Sequence, residues 1–67
     1  MIEIVVNGDP HAIEEGQSLT GLLQSLEVDP ARVAIELDRR IVKPPDWPLT
    51  ILESGARLEI VQFVGGG

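Results

Sequence analysis

Only one segment of this chain has the apolar spacing of a helix, and this limits the possible folds more than any other feature. Leu19, Leu22, Leu23 and Leu26 recur at positions i, i+3, i+4 and i+7, which places them on one helical face. Ser18 stands directly before them and predicts the N-cap, because its hydroxyl can accept from a free backbone N–H of the first turn. A short helix with a single apolar stripe must bury that stripe against other elements, and here those elements are strands.

The remaining apolar residues alternate with other residues at the period of two that is typical of strands. The pattern predicts three main strands at residues 2–6, 33–37 and 58–63, and two short ones at residues 11–14 and 41–42. Asn7-Gly8 favours the positive φ angles of a tight turn between the first two strands. The predicted class is therefore α+β, a four- or five-stranded sheet with one helix packed on one face.

The same alternation predicts which strand residues point toward the helix and which point away from it. The helix-facing set is Ile2, Ile4, Val6, Val33, Ile35, Leu37, Leu58 and Ile60. The open face then carries Glu3, Val5, Ala34, Glu36, Glu59, Val61 and Phe63. Because Val5, Val61 and Phe63 are apolar, we predict that they form a patch on this face at which a partner docks. The alternative is that Phe63 folds over the edge of the core.

Residues 43–48 contain three prolines, which have no backbone N–H to donate to a strand ladder. This segment is predicted to cross the surface in an extended form. Trp47 is its one large aromatic side chain, and we expect it to attach the segment to the core.

Composition excludes several classes of function. The chain has 11 acidic and 5 basic residues, a formal charge of −6, which is the wrong sign for binding nucleic-acid phosphates or an anionic membrane. It has no cysteine and no apolar run long enough to span a membrane. We therefore expect a cytoplasmic protein that binds neither nucleic acid nor membrane and is a monomer when free.

A chain of 67 residues supports one domain with one small core. We assign residues 1–64 to this domain and residues 65–67 to a flexible C-terminal glycine tail. Side chains offer little for catalysis, since the single histidine, His11, would have to meet one of three serines and no glycine-flanked nucleophile is present. Acidic residues near His11 lack the spacing of a metal site. The sequence thus predicts no catalytic residue, no metal and no bound cofactor, and a protein that is not an enzyme.

The chain ends in Gly65-Gly66-Gly67, and no side chain after Glu59 is charged. Residues without bulky side chains can pass through a narrow channel, so Val64, Gly65 and Gly66 are predicted to thread into a partner's active site. There they would present the carboxylate of Gly67, which can attack the α-phosphate of ATP and form an acyl-adenylate. A sulfur or amine nucleophile can then open the adenylate. The alternative is that the glycines are the end of a linker.

Three stretches resemble a known family, the ubiquitin-like sulfur carriers, and most closely those of the thiamine pathway. They are VAIEL at 33–37, IVKP at 41–44 leading to Asp46-Trp47, and LEIVQFVGGG at 58–67. The resemblance covers nearly the whole chain and implies a β-grasp fold with a mixed sheet. It also implies that an E1-like enzyme uses ATP to adenylate Gly67, that a sulfur-donor protein supplies the sulfur of a thiocarboxylate, and that thiazole synthase consumes it.

Two alternatives to this function stay open from the sequence. Similar carriers donate sulfur for molybdopterin or for transfer RNA, and some are also joined to lysines of other proteins. A second alternative is a β-grasp interaction module whose tail forms no covalent bond. For that module, residues added after Gly67 would be harmless.

Overall fold

A computed structural model of the chain describes residues 1–63. It contains five strands, one α-helix and two short 3₁₀ helices. In chain order these are β1 (Ile2–Val6), β2 (Asp9–Ile13), α1 (Leu19–Ser25), the first 3₁₀ helix (Pro30–Arg32), β3 (Val33–Leu37), β4 (Arg40–Val42), the second 3₁₀ helix (Pro44–Leu49) and β5 (Arg57–Gln62).

The strands form one mixed sheet in the order β2-β1-β5-β3-β4. β1 and β5 pair in parallel, whereas β1 with β2, β3 with β5 and β3 with β4 pair antiparallel. The last strand of the chain is therefore the central strand of the sheet. This placement holds β5 from both sides. The prediction of a four- or five-stranded sheet with one helix is confirmed, with five strands present.

The helix begins as the sequence predicts. Ser18 has an extended backbone, and its Oγ accepts a hydrogen bond from the backbone N–H of Gly21 at 3.1 Å. Leu19, Leu22 and Leu23 are buried, while Leu26 packs at the edge of the core. Because the stripe covers one face of the sheet, the helix is held by packing more than by its own seven residues.

The core contains every member of the predicted helix-facing set, either buried or packed against the buried residues. It also contains Ile13, Leu52 and Ala56, which the predicted helix-facing set did not include. Leu52 lies in a loop that bonds to the start of the helix, since its N–H donates to the Gln17 carbonyl at 2.9 Å. No strand or helix period marks Leu52, so only the folded chain identifies it as a core residue.

The chain reverses twice through two-residue turns whose central residues have positive φ. The first turn is Asn7-Gly8, with φ angles of 50° and 86°, as predicted. β2 begins directly after it at Asp9, two residues before the predicted start. The reason is that β2 is an edge strand, which tolerates the missing N–H of Pro10. The second turn is Asp38-Arg39.

The prediction of an extended crossing at residues 43–48 is wrong, because the second 3₁₀ helix forms there. Proline suits the first turn of such a helix, where its φ is already correct and its missing N–H would have no partner. The predicted attachment by Trp47 is confirmed. Its side chain is 4% exposed, and its indole N–H donates to the Val42 carbonyl at 2.8 Å.

Candidate functional site

The segment that leads to the predicted reactive terminus leaves the fold from the central strand. β5 pairs with β1 at its first two residues, Arg57 and Leu58, and with β3 from Leu58 to Gln62. Phe63 continues this pairing one residue beyond the strand, where its N–H donates to the Arg32 carbonyl at 2.8 Å. The C-terminal segment therefore starts from a point that the sheet fixes through Phe63.

The predicted tail site itself lies outside the described residues. This concerns Gly67 as the activated residue, and Val64, Gly65 and Gly66 as the threading segment. Their proposed roles rest on the sequence and on the position of β5.

The open face of the sheet carries the predicted docking residues. Val61 and Phe63 are 57% and 58% exposed, and Val5 on β1 is half-buried. Phe63 is too exposed to cover the edge of the core. The alternative prediction, that Phe63 folds over this edge, is therefore wrong. Alternate residues on one strand share a face, which makes Val61 and Phe63 neighbours at the end of β5.

Strand register does not bring Val5 to the other two residues. Val5 lies opposite Arg57, whereas Val61 lies opposite Ala34 at the other end of β5. Four residues of strand separate Arg57 from Val61, which corresponds to about 13 Å. The prediction of one patch containing all three residues is therefore corrected to an apolar pair, Val61 and Phe63, with Val5 at a distance.

Besides Val61 and Phe63, the open face carries an exposed apolar residue that the sequence analysis did not assign to it. Ile41 lies on β4 opposite Glu36 and is 77% exposed. Its neighbour across β3 is Glu59, because Glu36 and Glu59 are directly opposite each other in the ladder. Ile41 therefore lies next to this pair of carboxylates across the sheet, and Val61 lies next to it along β5.

Glu36 and Glu59 face each other across the β3–β5 ladder, and Arg39 and Arg57 line the same shallow surface depression without forming an ion pair with either glutamate. Like charges directly opposite each other on adjacent strands destabilise a sheet. Among residues 1–63 the one ion pair joins Arg32 to Asp29 at 3.5 Å, so neither glutamate has a cationic partner there. A basic group brought by a docking protein would further offset this repulsion, which makes the open face a candidate interaction surface.

Within the described part of the chain, no three His, Asp or Glu side chains come together as metal ligands would. The helices of residues 1–63 are too short or too polar to cross a membrane. Ser18 acts as a helix cap, and Ser25 donates its hydroxyl to the Leu22 carbonyl at 2.8 Å.

A mixed five-stranded sheet with one helix across one face is the ubiquitin-like β-grasp fold. The crystal structure of the thiamine biosynthesis protein ThiS from Geobacter metallireducens has a TM-score of 0.85 to this chain. That protein is 29% identical, and the match covers 98% of this chain and 100% of the other.

The chain belongs to the ThiS family, whose model matches residues 4–67. This confirms the resemblance drawn from the sequence. The thiazole synthase of Magnetococcus marinus is 36% identical over 66 residues, which make up 98% of this chain and 20% of that protein. Uncharacterized protein ycf40 of Porphyra purpurea is 33% identical over 98% of this chain and 93% of its own length. The chain thus spans one fifth of the matching thiazole synthase.

Proposed function

We propose that this protein is a sulfur carrier of thiamine biosynthesis whose reactive group is the carboxylate of Gly67. The observation that carries the proposal is the family match through residue 67, on a fold that places β5 at the centre of the sheet. Because β5 is the central strand, the C-terminal segment begins at a well-held part of the fold. The three glycines at its end add no side chain that could obstruct an enzyme.

The chemistry proceeds in two steps in the active site of an E1-like partner. A carboxylate oxygen of Gly67 attacks the α-phosphate of ATP, and pyrophosphate leaves. A sulfur nucleophile from a sulfur-donor protein then attacks the acyl carbon, and AMP leaves. When the nucleophile is a persulfide, the product is an acyl disulfide. A thiol that attacks the donor's own sulfur then forms a disulfide with the donor, breaks the S–S bond to the carrier and releases the terminus as a thiocarboxylate. ATP is consumed by the partner, and the carrier is a substrate of that enzyme.

Thiazole synthase is the proposed consumer of this sulfur. Two thiazole synthases contain a region similar to 98% of this chain, and that region makes up 20% of each protein. The presence of both parts in one polypeptide supports a physical association of carrier and synthase. It favours thiazole formation over delivery to molybdopterin or transfer RNA.

The proposal is tested by blocking the terminus. Incubation of the full chain with ATP and the activating enzyme should yield an adenylate on Gly67, and addition of the sulfur donor should replace one terminal oxygen by sulfur in the intact mass. A variant extended by two residues after Gly67 should give neither product. Equal adenylation of the extended variant would contradict the proposal and favour a non-covalent interaction module.

Partner docking is predicted to depend on Phe63. Phe63→Ala should weaken binding to the activating enzyme about tenfold or more, as expected for an aromatic residue central to an interface. Its melting temperature should change little, because truncation of a core phenylalanine costs about 3–5 kcal/mol and Phe63 is outside the core. Leu49→Ala is the matched control, since Leu49 is exposed but lies in the second 3₁₀ helix, away from the sheet.

A second variant, Glu59→Gln, tests whether charge on the open face contributes to the same binding. Removing the Glu59 charge should weaken binding and reduce its dependence on salt. The stability of the free protein should change by no more than about 0.5 kcal/mol, because Glu59 is near Arg39 and Arg57 as well as Glu36. Unchanged affinity in both Phe63→Ala and Glu59→Gln would show that the partner does not use the open face.

A further inference from the structure

Asn7 makes contacts that the turn between β1 and β2 does not require. β1 ends at Val6, but β5 continues beyond the last paired residue, Leu58. Beyond Leu58, Asn7 makes the hydrogen bonds to β5 that a longer β1 would otherwise make. Its backbone N–H donates to the Leu58 carbonyl at 2.8 Å. Its side-chain Oδ1 accepts from the Ile60 N–H at 2.7 Å, and its Nδ2 donates to the Ile60 carbonyl at 3.2 Å.

An asparagine suits this position for two independent reasons. The residue has a φ of 50°, a region that asparagine tolerates better than most residues with a side chain. Its amide also carries an acceptor and two donors on one short group, so it can bond to both polar groups of a single residue as a peptide unit of a strand would. Aspartate would offer only acceptors to the Ile60 carbonyl, and glycine would offer no side chain.

The contact joins residues that are 53 positions apart in the chain. It is the last bond on the β1 side of β5 among the described residues, since the next contact, from the Phe63 N–H to the Arg32 carbonyl, lies on the β3 side. Without the Asn7 amide, the end of β5 would be held only by its pairing with β3.

We propose that Asn7 is a positioning residue that fixes the direction in which the C-terminal segment leaves the fold. The proposal rests on the function assigned to Gly67. Gly67 lies seven positions after Ile60, a span of at most about 25 Å. A small change of direction at Ile60 therefore moves the carboxylate relative to a body docked through the open face. Displacement of a reacting group by about 1 Å can cost on the order of a hundredfold in rate.

The test compares two Asn7 variants with a control at the other end of β5. Asn7→Asp keeps the acceptor but loses the donor, and Asn7→Gly loses both while accepting the positive φ. The control is Asp38→Gly. Asp38 also sits in a turn, at a φ of 48°, and its Oδ1 accepts from the Arg57 N–H at 3.0 Å, so its removal loosens the start of β5 instead of the end.

Each full-length variant is assayed for single-turnover adenylation over a range of carrier concentrations, with the folded fraction measured separately. Both Asn7 variants should react about tenfold more slowly at saturating carrier. The half-saturating concentration should stay within about twofold of the wild type, because the docking face is unaltered. In the free protein, the Ile60 amide of Asn7→Gly should exchange with solvent deuterium about tenfold faster. Asp38→Gly should keep the wild-type rate at saturation.

The outcomes separate the two proposals. If the wild-type chain forms no adenylate, the function assigned to Gly67 fails. If the wild type reacts normally and the Asn7 variants match it, the positioning role is wrong. Equal losses in the Asn7 and Asp38 variants, in proportion to their folded fractions, would also overturn it, since the amide would then contribute only stability.

Discussion

A chain that ends at Gly66 is expected to be adenylated about a hundredfold more slowly than the full chain. Deleting Gly67 leaves a terminus that still reads Gly-Gly, so the expected loss comes from reach and not from the identity of the last residues. β5 and the bond from the Phe63 N–H to the Arg32 carbonyl fix the point where the segment starts. The distance from that point to the carboxylate is then limited by the number of residues.

Each extended residue spans at most about 3.3–3.6 Å, and losing one withdraws the reacting carbon by a similar distance. Greater freedom in the remaining glycines cannot lengthen a segment that the partner has already drawn out. Shortening does save the cost of ordering one residue, roughly 1–2 kcal/mol, but this does not restore the reach. We therefore expect the defect to persist at saturating carrier.

The measurement is single-turnover adenylation of the two chains with the same activating enzyme. Val64→Ala is the matched control, because it keeps 67 residues and all three terminal glycines and alters the same segment without adding bulk. Its loss of rate should be much smaller than that of the shortened chain. Equal rates for the full and shortened chains would show that the enzyme reads the terminal glycines regardless of their distance from the fold.

Trp47→Ala is expected to remove most of the stability of the free protein. The indole is buried against the core and donates to the Val42 carbonyl at 2.8 Å, so truncation opens a cavity and leaves a polar group without its partner. A loss of about 3–5 kcal/mol follows from truncation of a buried aromatic residue. A domain of this size has a total stability of about 3–10 kcal/mol, at roughly 0.05–0.15 kcal/mol per residue.

Thermal unfolding followed by circular dichroism measures this loss. The melting temperature should fall by about 12 °C or more, since 1 kcal/mol shifts it by about 4–8 °C in a domain of this size. Leu49→Ala, in the same 3₁₀ helix but 78% exposed, should change stability by no more than about 0.5 kcal/mol. If the two variants melted at similar temperatures, Trp47 would not be the residue that attaches this segment.

Local patterns in the sequence predicted the elements that depend on neighbouring residues. The leucine stripe and Ser18 located the helix, and Asn7-Gly8 located the first hairpin turn. All eight strand residues that period-two alternation assigned to the helix-facing side lie in or against the core, and Trp47 was identified as the anchor of its segment. These predictions succeed because a cap, a turn or an alternating strand is determined within a few residues of chain.

Tertiary structure decided what depends on which strands meet and in what register. Parallel pairing of β1 with β5 separated Val5 from Val61, and the ladder of β3 with β5 set Glu36 against Glu59. The same pairing brought the Asn7 amide to Ile60. Strand alternation is the same in every register that shifts by two residues, so the sequence pattern shows the face of a residue but not its neighbours. The neighbours of a residue are decided only when all strands and the helix pack together around one core. The proposed docking surface and the proposed role of the Asn7 amide both depend on those neighbours.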